Sequence, residues 1–159
     1  MEILRLPRRG KTLQVWSAEG AFGPRNGVLD GIAIVGNRVL VNTLGTGKLF
    51  GVPIGRNGQA GTAGELQLSR PIQRPDGMRS LDGDSVLLIE SGGAGRLSRV
   101  DSDGDAATLT TLQEGFPGGP VAVTTVGTDV YVLEGQLAAM ARSNLTPAPF
   151  RVLRFAIAP

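Results

Sequence analysis

The chain has no cysteine and no histidine among its 159 residues. The first absence excludes disulfides, thiolate nucleophiles, Cys-based redox pairs and zinc or iron–sulfur centres built on thiolates. The second removes the side chain that titrates nearest neutral pH, and with it the commonest general base. No apolar run approaches the ~20 residues of a membrane-spanning helix, and Met1-Glu2 followed by short strand-like runs lacks the layout of a secretory leader. The sequence thus reads as a soluble chain with no signal peptide, no transmembrane segment and no membrane partner. Any chemistry must come from Asp, Glu, Ser, Thr, Lys, Arg, Tyr or a hard cation held by oxygen.

Charge of one sign is also missing: 16 basic residues face 14 acidic ones. Arg8-Arg9-Gly10-Lys11 is the one tight basic cluster, too little for a nucleic-acid surface, so no nucleic-acid partner is expected. Glycine (24) and proline (10) make up about one residue in five, well above the usual ~12%. This is a chain that turns often.

Its turns recur with a period. Leu29-Asp30-Gly31-Ile32-Ala33-Ile34-Val35, the turn Gly36-Asn37, and Arg38-Val39-Leu40-Val41-Asn42 form a first copy. Pro75-Asp76-Gly77-Met78-Arg79-Ser80-Leu81, a Gly83-Asp84 turn and Ser85-Val86-Leu87-Leu88-Ile89-Glu90 form a second. Gly118-Gly119-Pro120-Val121-Ala122-Val123-Thr124-Thr125, a Gly127-Thr128 turn and Asp129-Val130-Tyr131-Val132-Leu133-Glu134 form a third. The second runs end at 42, 90 and 134, spacings of 48 and 44 that suit propeller blades. Lys48-Leu49-Phe50-Gly51-Val52 and Arg96-Leu97-Ser98-Arg99-Val100 supply third runs, and Glu65-Leu66-Gln67-Leu68 and residues 107–112 supply fourth ones. Four short runs joined by turns that tolerate positive φ predict a four-stranded antiparallel meander.

The N-terminus carries only third- and fourth-strand equivalents, because Gly10, Gly58 and Gly104 share one turn position, and residues 150–157 add a third strand to the last repeat. The expected fold is all-β: a β-propeller repeat of about three and a half blades, in units 1–25 (half), 26–70, 71–116 and 117–159. Residues 136–149 hold either one helical turn or an irregular excursion. Such a repeat is completed by more chain, by a compact four-unit ring, or by a homodimer forming a roughly six-bladed ring.

The step Asn26-Gly27, Pro75-Asp76-Gly77, the run Leu88-Ile89-Glu90-Ser91-Gly92-Gly93-Ala94-Gly95-Arg96-Leu97 and the ending Phe150-Arg151-Val152-Leu153-Arg154-Phe155 resemble the SMP-30, gluconolactonase and luciferin-regenerating-like superfamily of six-bladed, calcium-dependent propellers, in its C-terminal half. NHL-type and streptogramin-lyase-like propellers share such phrases, although a histidine-dependent elimination has no base here. The resemblance implies one Ca²⁺ or another divalent cation at the tunnel mouth. Asp76 matches the aspartate of a Pro-Asp-Gly step and Asn26 an Asn-Gly asparagine, with Asp30 as the other candidate for that inward place; the family's first-blade glutamate has no counterpart.

Oxygen ligands suit such a cation. Asp76, Asp30 and Asn26 are therefore the candidate metal ligands, and Asn42, Glu90 and Glu134, each ending a second run, form a candidate ligand-binding ring. Asp-Gly pairs and strand-end carboxylates also simply make turns. Strand alternation predicts that Asp30, Asp76, Asn42, Glu90 and Glu134 face one axial mouth. Asp101-x-Asp103-Gly104-Asp105 is too short for an EF-hand and reads as a hairpin turn. Gly92-Gly93-Ala94-Gly95-Arg96 and Gly45-Thr46-Gly47-Lys48 lie between strands rather than opening a helix, so no nucleotide is expected; no haem and no zinc–Cys/His site is expected either. Two functions remain open: hydrolysis of a lactone, with metal polarising the carbonyl and Asp76 as catalytic base, and a non-catalytic propeller that binds a small ligand, carbohydrate or protein at the mouth.

Overall fold

The computed structural model describes residues 1–17, 21–23, 27–142, 146 and 148–156. Its strands fall into four sheets. β1 (Ile3–Arg5) and β2 (Gln14–Ser17) make a two-stranded ribbon. β3 (Leu29–Val35), β4 (Arg38–Thr43), β5 (Lys48–Pro53) and β6 (Gly64–Glu65) form the first full blade. After β7 (Gln67–Leu68), the second blade comprises β8 (Pro75–Ser80), β9 (Ser85–Glu90), β10 (Arg96–Asp103) and β11 (Ala106–Glu114). β12 (Pro120–Val126), β13 (Asp129–Glu134) and β14 (Arg151–Ala156) form the third. The repeat read from the sequence is thus the architecture, and the excursion after β13 contains one turn of helix, α1 (Leu137–Ala141).

One strand departs from the pure meander. β6 pairs with β5 only at Glu65 and Gly64. The chain then bends around the buried Leu66, and β7 pairs in parallel with β11 on the outer edge of the next blade. The amide N–H of Gln67 donates to the carbonyl of Asp105 and that of Ser69 to Ala107. The link between blades thereby satisfies an outer edge that would otherwise expose unpaired backbone groups.

Three apolar layers hold the sheets face to face. Val39, Val41, Phe50 and Val52 face the ribbon and pack with Ile3 and Phe22. Leu40 and Leu49, on the opposite face of the same blade, pack against Met78, Val86, Leu88 and Val100. Leu87, Ile89 and Leu97 meet Val123, Val130 and Val132 of the third blade. Because the middle strands are covered on both faces, β4 is buried from Val39 to Thr43 and β9 throughout. That explains why their sequences are continuous apolar runs rather than alternating ones. Each fully buried Leu, Ile or Val here contributes about 1.5–3 kcal/mol.

The inner strands β3, β8 and β12 lie side by side, and each carries a register shift at the same height: between Leu29 and Ile32, between Pro75 and Met78, and between Pro120 and Ala122. Each shift is a bulge, one extra residue against the second strand. Glycine is required at the first, because a Cβ on Gly31 would lie 2.4 Å from the carbonyl oxygen of Asp76. Among the described residues, no helix is long and apolar enough to cross a membrane.

A paired-carboxylate candidate site at the inner-strand bulges

The bulges place acids where a straight strand would not. Asp30-Gly31 and Asp76-Gly77 are the bulged steps of β3 and β8, and the negative charge of Asp30 falls on Asp76. Burial pushes the Asp30 carboxyl above its ordinary range. For Asp76, burial first and the Asp30 charge second push the carboxyl up to about 6. The Gly77 amide, which donates to Asp76 Oδ1 at 3.0 Å, holds it back, as do the Arg74 charge and the Ser91 hydroxyl.

The backbone beside Asp76 is itself unusual. Arg74 has φ 50°, a left-handed conformation that costs a non-glycine residue about 1–3 kcal/mol. Its carbonyl accepts from both the amide (2.9 Å) and the hydroxyl (3.0 Å) of Ser91. In the third blade the matching carbonyl belongs to Gly119, bonded to the Gly135 amide, and there a glycine holds φ 69°. The second blade therefore keeps an arginine in glycine's place, next to a carboxylate.

Asn42 fixes the spacing of the two acids. It is fully buried; its Oδ1 accepts from the Gly31 amide at 3.2 Å and its Nδ2 donates to the Asp76 carbonyl at 2.7 Å. One side chain thus ties the two bulges together across the blade boundary, and both of its polar atoms are occupied by backbone.

The structure does not gather all five predicted residues at one mouth. Leu29 pairs with Thr43, Pro75 with Glu90 and Pro120 with Glu134, so the register equivalent of the two glutamates is Thr43 and Asn42 lies one residue away, opposite the bulge. Thr43 follows the turn residue Gly36 by the same seven residues that separate Glu134 from Gly127, which is the equivalence that an alignment ending on Asn42 misses by one. Glu90 and Glu134 are fully buried among protein donors. Arg70 grips Glu90 with two bonds, Nη2 to Oε1 at 2.7 Å and Nη1 to Oε2 at 3.1 Å, and Ser98 Oγ and the Gln73 amide complete its shell. Burial pushes the Glu90 carboxyl up, but the Arg70, Gln73 and Ser98 bonds outweigh it and the net shift is downward. Glu134 accepts from the Gly118 amide at 2.9 Å and from Arg151 at 2.6 Å. Asn26 lies outside the described residues.

Sequence reasoning passed over Arg70, Arg74 and Ser91. Only Arg74 carried a signal, by preceding Pro75 in the step that ends at Asp76. The Asp101–Asp105 stretch forms the β10–β11 turn, with Gly104 at φ 55°.

Asp30 and Asp76 together offer at most four carboxylate oxygens, one of them already accepting from Gly77, whereas Ca²⁺ takes ~6–8 oxygen ligands. Among the described residues no group of three or more Asp or Glu stands where it would hold a metal ion.

Blades of four short antiparallel strands, stacked face to face with inner strands side by side, define a partial β-propeller. Its fold is similar to that of a luciferin-regenerating enzyme, with a TM-score of 0.63 and 13% identity over 78% of this chain and 41% of that one. The chain thus shares the propeller fold of that protein over somewhat under half of its length. No protein-family description matches the sequence, and no curated protein matches it.

Proposed function

We propose that the chain is a non-catalytic binding module whose propeller mouth takes a hydroxyl-rich small molecule, such as a carbohydrate, at Asp30 and Asp76. The observation that carries this reading is the carboxylate pair itself, held close by Asn42 and bonded to few protein donors. Two neighbouring carboxylates repel when both are ionised, and a ligand that donates hydrogen bonds to both relieves that repulsion. Partial burial of Asp76 strengthens its bond relative to water.

The test is thermal unfolding at pH 7.5 against a panel of monosaccharides, polyols and sugar acids. A ligand at 100 times its Kd raises stability by about 2.7 kcal/mol. Stabilisation by a panel member, abolished in both Asp76→Asn and Asp30→Asn, is the expected result; no stabilisation by any member would overturn the reading. Metal-dependent lactone hydrolysis is the second reading. The Asp76 carboxyl at about 6 favours it, since a base that titrates near neutral pH suits proton abstraction. Ca²⁺-dependent melting together with lactone turnover lost in Asp76→Ala would replace binding by catalysis.

A further inference from the structure

The first full blade is covered differently on its two faces. On the side toward the second blade it is sealed. On the other side the strands it meets among the described residues are β1 and β2, which stand in third- and fourth-strand positions, with Phe22 beside them, and β1 pairs with no other described strand. The register identifies what is uncovered. Ile32, Met78 and Val123 are equivalent, facing Val41, Leu88 and Val132 on their second strands. Met78 and Val123 are 7% and 8% exposed, each beneath a complete neighbouring blade, whereas Ile32 is 51% exposed. Ile34, two residues on, is 57% exposed.

A cavity of about 800 Å³ lies over these residues, walled by Ile3, Leu4, Trp16, Ile32, Ile34 and Val39. It occupies the place where a first and second strand would lie beside β1. Arg5, at the end of β1, also borders it, and its buried Nε has no hydrogen-bond partner.

We propose that this cavity is the seat of a β-hairpin from polypeptide outside these 159 residues. The hairpin is a pair of inner blade strands with one apolar face, and its second strand adds antiparallel to the open edge of β1. Three observations select that occupant. The hairpins β3–β4 and β8–β9 hold the corresponding place in their own blades, each joined antiparallel to a third strand. The fold likeness extends over 78% of this chain but 41% of its neighbour, which puts the neighbour at about 300 residues, or six or more periods of this repeat. Finally, the opposite end is open too: Leu133 and Val152 are 37% and 64% exposed, whereas their equivalents Ile89 and Leu97 are fully buried.

A second copy of the chain meets an obstacle. It would offer β12–β13 as the hairpin, but its own β14 already fills the edge of β13 that β1 needs. β14 is six residues long, and is secured by the edge-on contact of Phe155 with Phe116 and by the Arg151–Glu134 and Arg154–Asp129 pairs. β1 has three residues. Two strands cannot share one edge, so a hairpin of different sequence fits where a copy does not.

The seat can be filled on purpose. A copy of residues 74–95, the second blade's inner hairpin with the connection to its third strand, is fused directly ahead of Met1, which makes the pairing intramolecular. Trp16, the one tryptophan, reports the cavity. We expect the fused chain to melt at least about 3 °C higher and Trp16 emission to shift to the blue. Both changes should vanish when Ile34→Glu is added, a substitution at an exposed position that should leave the unfused chain's melting unchanged. If the fusion misfolds, a synthetic peptide of residues 74–91 titrated into the unmodified chain must produce the same Ile34-dependent blue shift. No shift by either route overturns the proposal. So does a stable dimer of the unmodified chain by sedimentation at micromolar concentration with Trp16 shielded, which would make the occupant a second copy.

Discussion

Replacing Asp76 with asparagine should stabilise the protein at neutral pH and leave its stability unchanged in acid. The carboxyl titrates at about 6 in the fold against an ordinary value of 3.8. That interval corresponds to about 3 kcal/mol of preference for the neutral form; because Asp76 is partly exposed and Asp30's charge is screened by water, ~1–2 kcal/mol is the expected effect. The sign follows from linkage. A group whose carboxyl is raised on folding favours the fold fully below its unfolded value near 3.8, and that contribution is lost as pH rises through about 6. Above pH 7 the wild type therefore carries an ionised Asp76 at a cost, and an asparagine does not. Its Oδ1 still accepts from the Gly77 amide, so geometry is retained. Thermal unfolding of both chains at pH 4 and pH 8 measures the difference, with Asp76→Asn gaining about 2–6 °C in melting temperature at pH 8 and close to nothing at pH 4. An equal gain at both pH values, or a loss at pH 8, would refute the electrostatic account. A stabilised chain that also loses ligand binding would show a site maintained at the expense of stability.

Four further outcomes follow from the same geometry. Glu90→Ala should cost about 3–5 kcal/mol in denaturant unfolding, because it leaves Arg70 and the Gln73 amide unpaired beside a buried void. Glu90→Gln should flatten the stability lost in acid, since a carboxyl lowered on folding stabilises above its unfolded value near 4.5 and loses that contribution as pH falls through its folded value. Asn42→Leu should cost about 2 kcal/mol or more by orphaning the Gly31 amide and the Asp76 carbonyl, and should abolish ligand-dependent melting by releasing the two bulges. Gly31→Ala should be worse than most surface changes, with a loss of about 3 kcal/mol or no folding, because its Cβ meets Asp76 backbone at 2.4 Å; circular dichroism melting and soluble yield report it.

The architecture was legible because it is periodic. Turn glycines recurring at a fixed spacing, and strands too short and too often broken for helix, specify four-stranded blades whatever surrounds them. The same periodicity showed that the chain opens on a third and fourth strand and reaches a third strand in its last repeat. The pairing of Asp30 with Asp76 was also within reach, since both stand in the same Asp-Gly step of successive repeats. What the sequence could not show is which face each residue takes once a bulge intervenes. Asn42, aligned by eye with Glu90 and Glu134, lies one register position short of their equivalent Thr43, opposite the bulge of β3, and binds backbone instead. Nor could it show that Glu90 and Glu134 are gripped by Arg70 and Arg151, because the Arg70 partner comes from an irregular link twenty residues earlier. Local pattern determined the strands and their order. The tertiary structure alone decided which polar groups are spent on holding blades together and which stay open to a ligand, because that depends on neighbours that the chain brings close only when the blades stack.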